Sequence, residues 1–275
     1  MSEIAVVTDS TADFPPGEAE RFGIKIVPLY VRFGDQEYID KVNLSSKEFF
    51  TKLKKSPVLP VTSQPTPDDF LKVYREVGTD KIISIHISGK LSGTINSAIR
   101  PKNEVLHDFD IRIIDSQTTS MALAFLVIEA AKLAKNRNGL DTIEAEINRL
   151  IPKTRVYGML DTLHYLEKGG RIGVVQYWLS SLLQFKPIIK VKDGEVLPVA
   201  RPRTRNKGIN ELIDNFLAEG EMKRVGIIHA QEKTLALEVR KRLSRYYSDI
   251  PIAELGPVLG THAGPGTVGI CGLLR

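Results

Sequence analysis

The sequence predicts an α/β protein made of two unequal parts. Short strands rich in valine and isoleucine alternate with helical patterns in the first half, which predicts an N-terminal α/β domain with a parallel sheet. After about residue 150, consecutive strands and a hairpin replace this alternation, which predicts a C-terminal α+β domain with a largely antiparallel sheet. We therefore expect one domain over residues 1–153 and a second over residues 154–275.

Four apolar runs in the first half predict strands, over residues 4–8, 24–30, 81–87 and 111–114. Two helix starts lie among them. Ser45 and Glu48 have the spacing of a capping box, and Thr66 is followed by a proline at the first helical position. Residues 117–135 predict the longest helix, which is apolar almost all round and is therefore expected in the core.

The second half begins with an amphipathic helix that Asp141 is expected to cap. The Asp193-Gly194 pair predicts a tight hairpin between strands over residues 186–192 and 195–199. Further helices are predicted over residues 207–218 and 234–247, and further strands over residues 224–229, 251–254 and 267–274.

Composition excludes several classes of protein. With 275 residues and a net charge of +5, the chain is long enough for two cores and too weakly basic to indicate a nucleic-acid partner. The single cysteine, Cys271, excludes an internal disulfide framework. No apolar stretch reaches the ~20 residues of a membrane helix, and no His/Cys/Asp spacing resembles a metal site. We expect a soluble cytoplasmic protein without a transmembrane segment, metal or cofactor.

The segment Ser88-Gly-Lys-Leu-Ser-Gly-Thr94 directly follows the predicted strand over residues 81–87. Ligands of open α/β sheets collect beyond the carboxyl ends of the strands. Three hydroxyls and two glycines at this place suit the orientation of a carboxylate or a single phosphate. An ordinary serine-glycine turn is the alternative interpretation.

Four more segments carry polar residues that apolar packing does not explain. They are Asp9-Ser-Thr11, Thr62-Ser-Gln-Pro65, Glu167-Lys-Gly-Gly-Arg171, and Gly260 to Thr267, which is expected to place His262 in a glycine-rich loop before the last strand. A purely structural role for His262 stays open at this point. Of the other histidines, His86, His164 and His229 are expected in packing positions and His107 on the surface.

Taken together, these segments resemble the DegV family of bacterial fatty-acid-binding proteins. Each motif alone is weak, but six in order along essentially the whole chain are highly specific. The resemblance implies a long-chain fatty acid buried between two domains. It also implies a non-catalytic subunit of a fatty-acid kinase, whose separate ATP-binding partner phosphorylates the bound acid to an acyl phosphate. The matching pieces are Val7-Thr-Asp-Ser-Thr11, Thr62-Ser-Gln-Pro65, Lys90-Leu-Ser-Gly-Thr94, Ile114-Asp-Ser116, the segment from Leu163 that ends in Lys168-Gly-Gly-Arg-Ile172, and Gly260-Thr-His-Ala-Gly-Pro-Gly-Thr267.

The resemblance also implies site residues. It places the carboxylate against Thr62, Ser92 and His262, with Ser63 as a nearby candidate. Arg171 is similar to a family arginine near the head group or the partner-docking surface.

A basic segment of the second half, Arg201-Pro-Arg-Thr-Arg205, resembles a basic patch of the family, with Arg203 at a matching position. The predicted docking residues are therefore Arg201, Arg203 and Arg205. Pro202 departs from the family pattern, which usually has another residue there.

Three other functions compete with this interpretation. A serine acyl hydrolase would use Ser92, His262 and an aspartate such as Asp9, but residues 89–93 lack the Gly-x-Ser-x-Gly spacing of a nucleophile elbow. A kinase acting alone would need a phosphate-binding loop, and residues 89–94 lack its Gly-Lys-Thr ending. A nucleic-acid-binding module is suggested only by the net charge.

Overall fold

The computed structural model describes residues 4–180 and 185–275. The strands within these residues are β1 (Ala5–Asp9), β2 (Lys25–Val27), β3 (Tyr30–Phe33), β4 (Gln36–Ile39), β5 (Val61–Ser63), β6 (Lys81–His86), β7 (Asp110–Asp115), β8 (Thr154–Met159), β9 (Ile188–Lys192), β10 (Glu195–Ala200), β11 (Met222–His229), β12 (Ile252–Glu254) and β13 (Val268–Leu274). The helices are α1 (Glu18–Arg21), α2 (Ser46–Lys55), α3 (Pro67–Glu76), α4 (Thr94–Glu104), α5 (Ser120–Lys135), α6 (Leu140–Leu150), α7 (His164–Lys168), α8 (Arg205–Leu217), α9 (Lys233–Leu243) and α10 (Pro257–Ala263).

The expected parallel sheet is present in the first half. It has the strand order β2-β1-β6-β7, and every neighbouring pair is parallel. The carboxyl ends of β1 and β6 are adjacent, since Val7 pairs with Ser84. The polar segments that follow these two strands therefore lie at one edge of the sheet.

The second half contains a six-stranded sheet in the order β10-β9-β8-β13-β11-β12. All its neighbours are antiparallel except β11 and β12. The hairpin prediction is confirmed: Asp193 and Gly194 join β9 to β10 with φ values of 51° and 82°, as a two-residue type I′ turn requires. All six strands follow residue 153, although the division into two domains at that residue stays a prediction.

One strand prediction was wrong. Residues 24–30 do not form a single strand, because β2 belongs to the parallel sheet and β3 to a third sheet with the antiparallel order β4-β3-β5. Pro28 separates the two strands, and proline cannot donate to a ladder. The third sheet also contains Thr62 and Ser63, in β5.

Several helix predictions need smaller corrections. The predicted capping box at Ser45 and the helix start at Thr66 are confirmed, and Thr66 also forms a capping box, with Asp69. Asp141 does not cap its helix, because α6 already begins at Leu140 with Gly139 at the N-cap. Helix α4, which contains Pro101, was not predicted from the sequence pattern.

Helix α5 joins the two large sheets. It packs against β1 and β6 on one side and against β11 and β13 on the other. This position explains its almost continuous burial and the lack of an amphipathic pattern in its sequence. Within the described residues, no helix combines the length and the apolar character needed to cross a bilayer.

Candidate functional site

A cavity lies between the two large sheets. Its volume is about 120 Å³. The lining is mainly aliphatic, as in small-molecule sites generally. The aliphatic residues with the largest side chains are Leu29, Ile87, Leu91, Leu160, Leu166, Ile189, Ile228, Leu255 and Leu259.

Four of the residues predicted for the head group line this cavity. Thr62 comes from β5, Ser92 from the loop after β6, Arg171 from the loop after α7, and His262 from α10. Ser63 does not line it. Successive side chains of a strand point to opposite faces, so Thr62 faces the cavity and Ser63 is exposed on the other side of β5.

His262 lies in a helix, and the prediction of a glycine-rich loop was wrong. Gly256 is extended at the N-cap and Pro257 occupies the first helical position, which favours a helix start. At the other end, Gly264 ends the helix with a φ of 75°. The helix places His262 Nε2 2.9 Å from Thr62 Oγ1.

The imidazole of His262 is neutral at pH 7. Burial, together with the nearby charge of Arg171, lowers its pKa to about 4. Its Nδ1 has no hydrogen-bond partner among residues 4–180 and 185–275 and lies against Gly169, where a Cβ would overlap it. The glycine therefore shapes the space that the ring occupies.

The guanidinium of Arg171 supplies the positive charge at this end of the cavity. Its Nε donates to the Leu91 carbonyl at 3.0 Å and its Nη1 to the Gly169 carbonyl at 2.7 Å. Both acceptors are neutral, and no carboxylate of the described chain forms an ion pair with this arginine. Its charge is therefore not neutralised within that part of the protein.

The hydroxyls of the segment over residues 88–94 divide into two groups. Ser92 Oγ lies 2.8 Å from Thr94 Oγ1, at the start of α4 and beside the cavity. Ser88 Oγ is buried and donates to the Gly194 carbonyl at 2.8 Å. Ser88 therefore holds the tip of the β9–β10 hairpin, and Lys90 adds an exposed ion pair with Glu195.

The triad of the hydrolase alternative is not assembled. Asp9 is fully buried and accepts hydrogen bonds from Thr11 and from the Ile87 N–H, and its Oδ2 lies 3.1 Å from His86 Nδ1. His262 Nε2 instead meets Thr62, so Asp9 does not orient the imidazole of His262.

Of the remaining predictions for acidic residues and histidines, some are confirmed and one was wrong. Asp115 accepts from the Gly89 and Gln117 N–H groups and so stabilises turns. His86 and His229 are buried and His107 is exposed, as expected. His164 is exposed, so its expected packing role was wrong. Among the residues that the structure describes, no three His, Cys, Asp or Glu side chains lie together as a metal site would require.

Several cavity residues were not found from the sequence, among them Thr119. Thr119, the residue before α5, lines the cavity, and its buried Oγ1 has no hydrogen-bond partner in the described chain. The run of serine, glutamine and threonine over residues 116–120 follows β7 directly. That position after a parallel strand was the signal that could have indicated it.

The three arginines predicted to dock a partner differ in their surroundings. Arg205 forms ion pairs with Glu232 at 3.2 Å and with Asp161 at 3.8 Å, which neutralise much of its charge. Arg201 is exposed and its guanidinium lies over the ring of Trp178, 5.5 Å from the centroid. Arg203 is exposed beside a surface groove. Arg201 and Arg203 are thus better placed than Arg205 to meet another molecule.

Comparison with known proteins gives consistent matches over the whole chain. A family model described as "Uncharacterised protein, DegV family" matches residues 3–274. The protein DegV of Bacillus subtilis is 36% identical over 276 residues, which cover 98% of each chain. A solved structure described as "Fatty Acid Binding of a DegV family Protein from Thermus thermophilus" superposes with a TM-score of 0.92 at 34% identity, covering 100% of both chains. Another, described as "Crystal Structure of DegV, a fatty acid binding protein from Bacillus subtilis", has a TM-score of 0.87 at 35% identity and 100% coverage of both.

Proposed function

Because the chain belongs to the DegV family, we propose that it binds a long-chain fatty acid in the cavity between its two large sheets. The observation that carries this proposal is a mainly aliphatic cavity in whose wall Thr62, Ser92, Arg171 and His262 lie near one another. Two similar structures, from Thermus thermophilus and Bacillus subtilis, are described as fatty-acid-binding proteins, which supports the same ligand class here.

The acyl chain would supply most of the affinity. Each buried methylene contributes ~0.8 kcal/mol, so a long chain gains on the order of 10 kcal/mol before costs. Association and ordering of the chain take back a sizeable part of that gain. The polar groups then need only orient the carboxylate.

We place the carboxylate against Thr62, Ser92 and His262. The two hydroxyls can donate to it, and the neutral imidazole can donate its single N–H, from Nε2, to Thr62 Oγ1, which leaves the Thr62 hydroxyl free to donate to the carboxylate without added charge. Arg171 is close but already uses two donors on the Leu91 and Gly169 carbonyls. It therefore adds positive charge near the carboxylate without forming a bidentate ion pair with it. Such an ion pair would make the carboxylate less nucleophilic.

We further propose that the bound acid is presented to a separate ATP-dependent kinase subunit. A carboxylate oxygen would attack the γ-phosphorus of ATP, and the bond to the ADP oxygen would break, giving an acyl phosphate and ADP. In this proposal the chain is the lipid-binding subunit and works in the cytoplasm, where ATP is available. The exposed Arg201 and Arg203 would contact the partner, while Arg205 would hold this surface in place through Glu232.

Filling the cavity tests the binding proposal. Gly158 lines the cavity, and a Cβ there would meet only Ile189 and Leu160 at ordinary contact distances of 3.9 and 4.0 Å. The variant Gly158→Leu should therefore place its side chain in the space of the acyl chain. We expect calorimetric titration with palmitate to show strong binding to the wild type and binding at least about tenfold weaker to Gly158→Leu, the equivalent of losing about two buried methylenes.

Gly139→Leu is the matched control. Gly139 is exposed, has a φ of −75°, and a Cβ added to it would have no other atom within 4 Å. This variant should bind palmitate like the wild type. Equal palmitate affinity of Gly158→Leu and the wild type, with both proteins folded, would show that the cavity is not the binding site.

A further inference from the structure

A cluster of charged groups lies outside the cavity, where the segments after β1 and β4 meet the start of α10. It consists of the carboxylates of Asp13 and Asp40 and the ammonium of Lys41. Both aspartates are buried, with 2% and 1% of their surface exposed. A buried carboxylate is costly unless hydrogen bonds and opposite charge compensate it. The partners of these two carboxylates therefore indicate what the cluster does.

Besides Lys41 and the Ser120 hydroxyl, which both donate to Asp13, those partners are backbone N–H groups at the start of α10. Asp13 Oδ1 accepts from the Gly256 N–H at 3.1 Å, and Asp40 Oδ1 accepts from the Val258 N–H at 3.2 Å. The first N–H groups of a helix have no partner within it, and they carry the positive end of the helix dipole. Two carboxylates from the first half of the chain thus complete the start of a helix from the second half.

Lys41 fixes the geometry of the cluster. Its Nζ donates to Asp13 Oδ1 at 2.7 Å and to the Ser10 carbonyl at 2.7 Å. Gly256 passes so close to Lys41 that a Cβ on the glycine would overlap the lysine Cε. The approach of α10 to the N-terminal half is therefore set by Asp13 and Lys41 together.

Asp40 stabilises the start of α10 through a hydrogen bond that its carboxylate accepts, and its negative charge does not favour folding. Burial raises its pKa to about 6, even though the charge of Lys41 opposes this shift. Its Oδ2 has no hydrogen-bond partner in the described part of the chain. At neutral pH the charge of Asp40 therefore does not favour folding, and what the residue supplies is the hydrogen bond to Val258.

The other end of α10 carries His262. The helix has seven residues and is only ~10 Å long, so a displacement of its first turn is transmitted to its last. The same helix places Val258 and Leu259 in the cavity wall. The position of His262 Nε2 relative to Thr62 consequently depends on how the start of α10 is held.

We propose that Asp13, Asp40 and Lys41 act as positioning residues that hold the start of α10 and so set His262 against Thr62 at the polar end of the cavity. None of the three lines the cavity, although the cavity residue Ser120 donates to Asp13 Oδ2 at 2.7 Å. The role in ligand binding rests on the proposed function, whereas the positioning of His262 is a property of the protein alone.

The test follows the His262 imidazole by NMR across a pH titration and measures palmitate binding by calorimetry. In the wild type His262 should stay neutral to below about pH 5, because its pKa is lowered to about 4. Asp40→Ala removes the acceptor for Val258 but keeps the Asp13–Lys41 ion pair. We expect its His262 to titrate closer to the ordinary histidine value of ~6.5 and palmitate to bind roughly tenfold more weakly.

Three further variants separate positioning from general destabilisation. Asp40→Asn keeps an oxygen acceptor and should restore both measurements. Thr204→Ala removes a helix-capping acceptor at the start of α8, which packs against β8, β13 and α9, and should leave both unchanged. Gly256→Ala adds a methyl group that overlaps the Lys41 side chain, and it removes no charge. It should change the pH at which His262 titrates, and this can be measured even if Asp40→Ala does not fold.

If His262 titrates in Asp40→Ala or in Gly256→Ala at the same pH as in the wild type, the inference is wrong. An absence of palmitate binding to the wild type would instead remove the proposed function. The His262 titration would still decide whether the cluster positions α10, so the two failures are distinguishable.

Discussion

Thr62 and His262 are 200 positions apart in the chain, yet Thr62 Oγ1 and His262 Nε2 lie 2.9 Å from each other. Thr62 belongs to the small antiparallel sheet of the first half, and His262 lies near the end of a helix that the second half contributes. Their contact closes the polar end of the cavity. The two halves must therefore be correctly placed for the head-group site to exist.

The first prediction concerns the face of β5. Thr62→Val keeps the shape of the side chain but removes its hydroxyl, so the carboxylate and His262 each lose a hydrogen-bond partner. We expect palmitate affinity to fall about tenfold, as the loss of a hydrogen bond to a charged group predicts. Ser63→Ala is the control on the opposite face and should bind like the wild type. Calorimetric titration checks both, and a larger loss in Ser63→Ala would reverse the assignment.

The second prediction concerns the glycine beside the imidazole. A Cβ at Gly169 would overlap His262 Nδ1 and would lie 3.0 Å from the Tyr165 carbonyl. Gly169→Ala should therefore displace His262 from Thr62 and weaken palmitate binding, which calorimetric titration measures. Gly139→Ala, at an exposed site with open space, should not. If Gly169→Ala binds palmitate as tightly as the wild type, the prediction is wrong, because displacing the His262 ring would then cost no affinity.

The third prediction concerns acid stability. The pKa of His262 is lowered to about 4 in the folded protein by burial and by Arg171. In the unfolded chain the pKa of His262 is ~6.5. Below that pH the unfolded chain binds a proton that the folded protein does not bind. The free energy of unfolding should thus fall by about 2 kcal/mol from pH 8 to pH 5 through this group.

Urea denaturation of the wild type and His262→Asn measures this contribution. Asp40 acts in the opposite direction, because its pKa is raised to about 6 and its buried charge is lost on acidification. Its contribution is the same in both proteins, so the difference between them isolates His262. The variant should lose less stability on acidification than the wild type. His107→Asn, at an exposed histidine, should behave like the wild type, and an equal loss in all three would contradict the shift.

The fourth prediction concerns the partner surface. The double variant Arg201→Glu/Arg203→Glu reverses two exposed charges and should lower acyl-phosphate formation by the partner kinase while palmitate binding is retained. Arg240→Glu/Lys241→Glu makes the same charge change at two exposed positions of α9 and should leave turnover unchanged. Equal turnover of the Arg201/Arg203 variant and the wild type would exclude this surface.

The parallel sheet and the Asp193-Gly194 hairpin were predictable because local pattern and tertiary structure agree there. The break at Pro28 was visible in the sequence, but nothing local assigns β3 to a separate sheet. Pairing of β3 with β5 depends on residues about thirty positions away, since Tyr30 pairs with Ser63. Sequence patterns report periodicity and do not report such partners.

The candidate site shows the same division. The motifs indicated Thr62, Ser92, Arg171 and His262, and these line one cavity. They did not indicate that His262 belongs to a helix, because the glycines that end α10 outweighed the helix start at Pro257. Thr119 was missed since its hydroxyl matters only through its position beside the cavity.

Whether the cavity holds a fatty acid can be decided by native mass spectrometry of the protein purified from bacteria. Under gentle ionisation we expect the intact chain to carry one fatty acid, and we expect Gly158→Leu from the same cells to carry much less. A wild-type chain that arrives without any lipid, while a known fatty-acid-binding protein treated in parallel keeps its own, would refute fatty-acid binding by this protein.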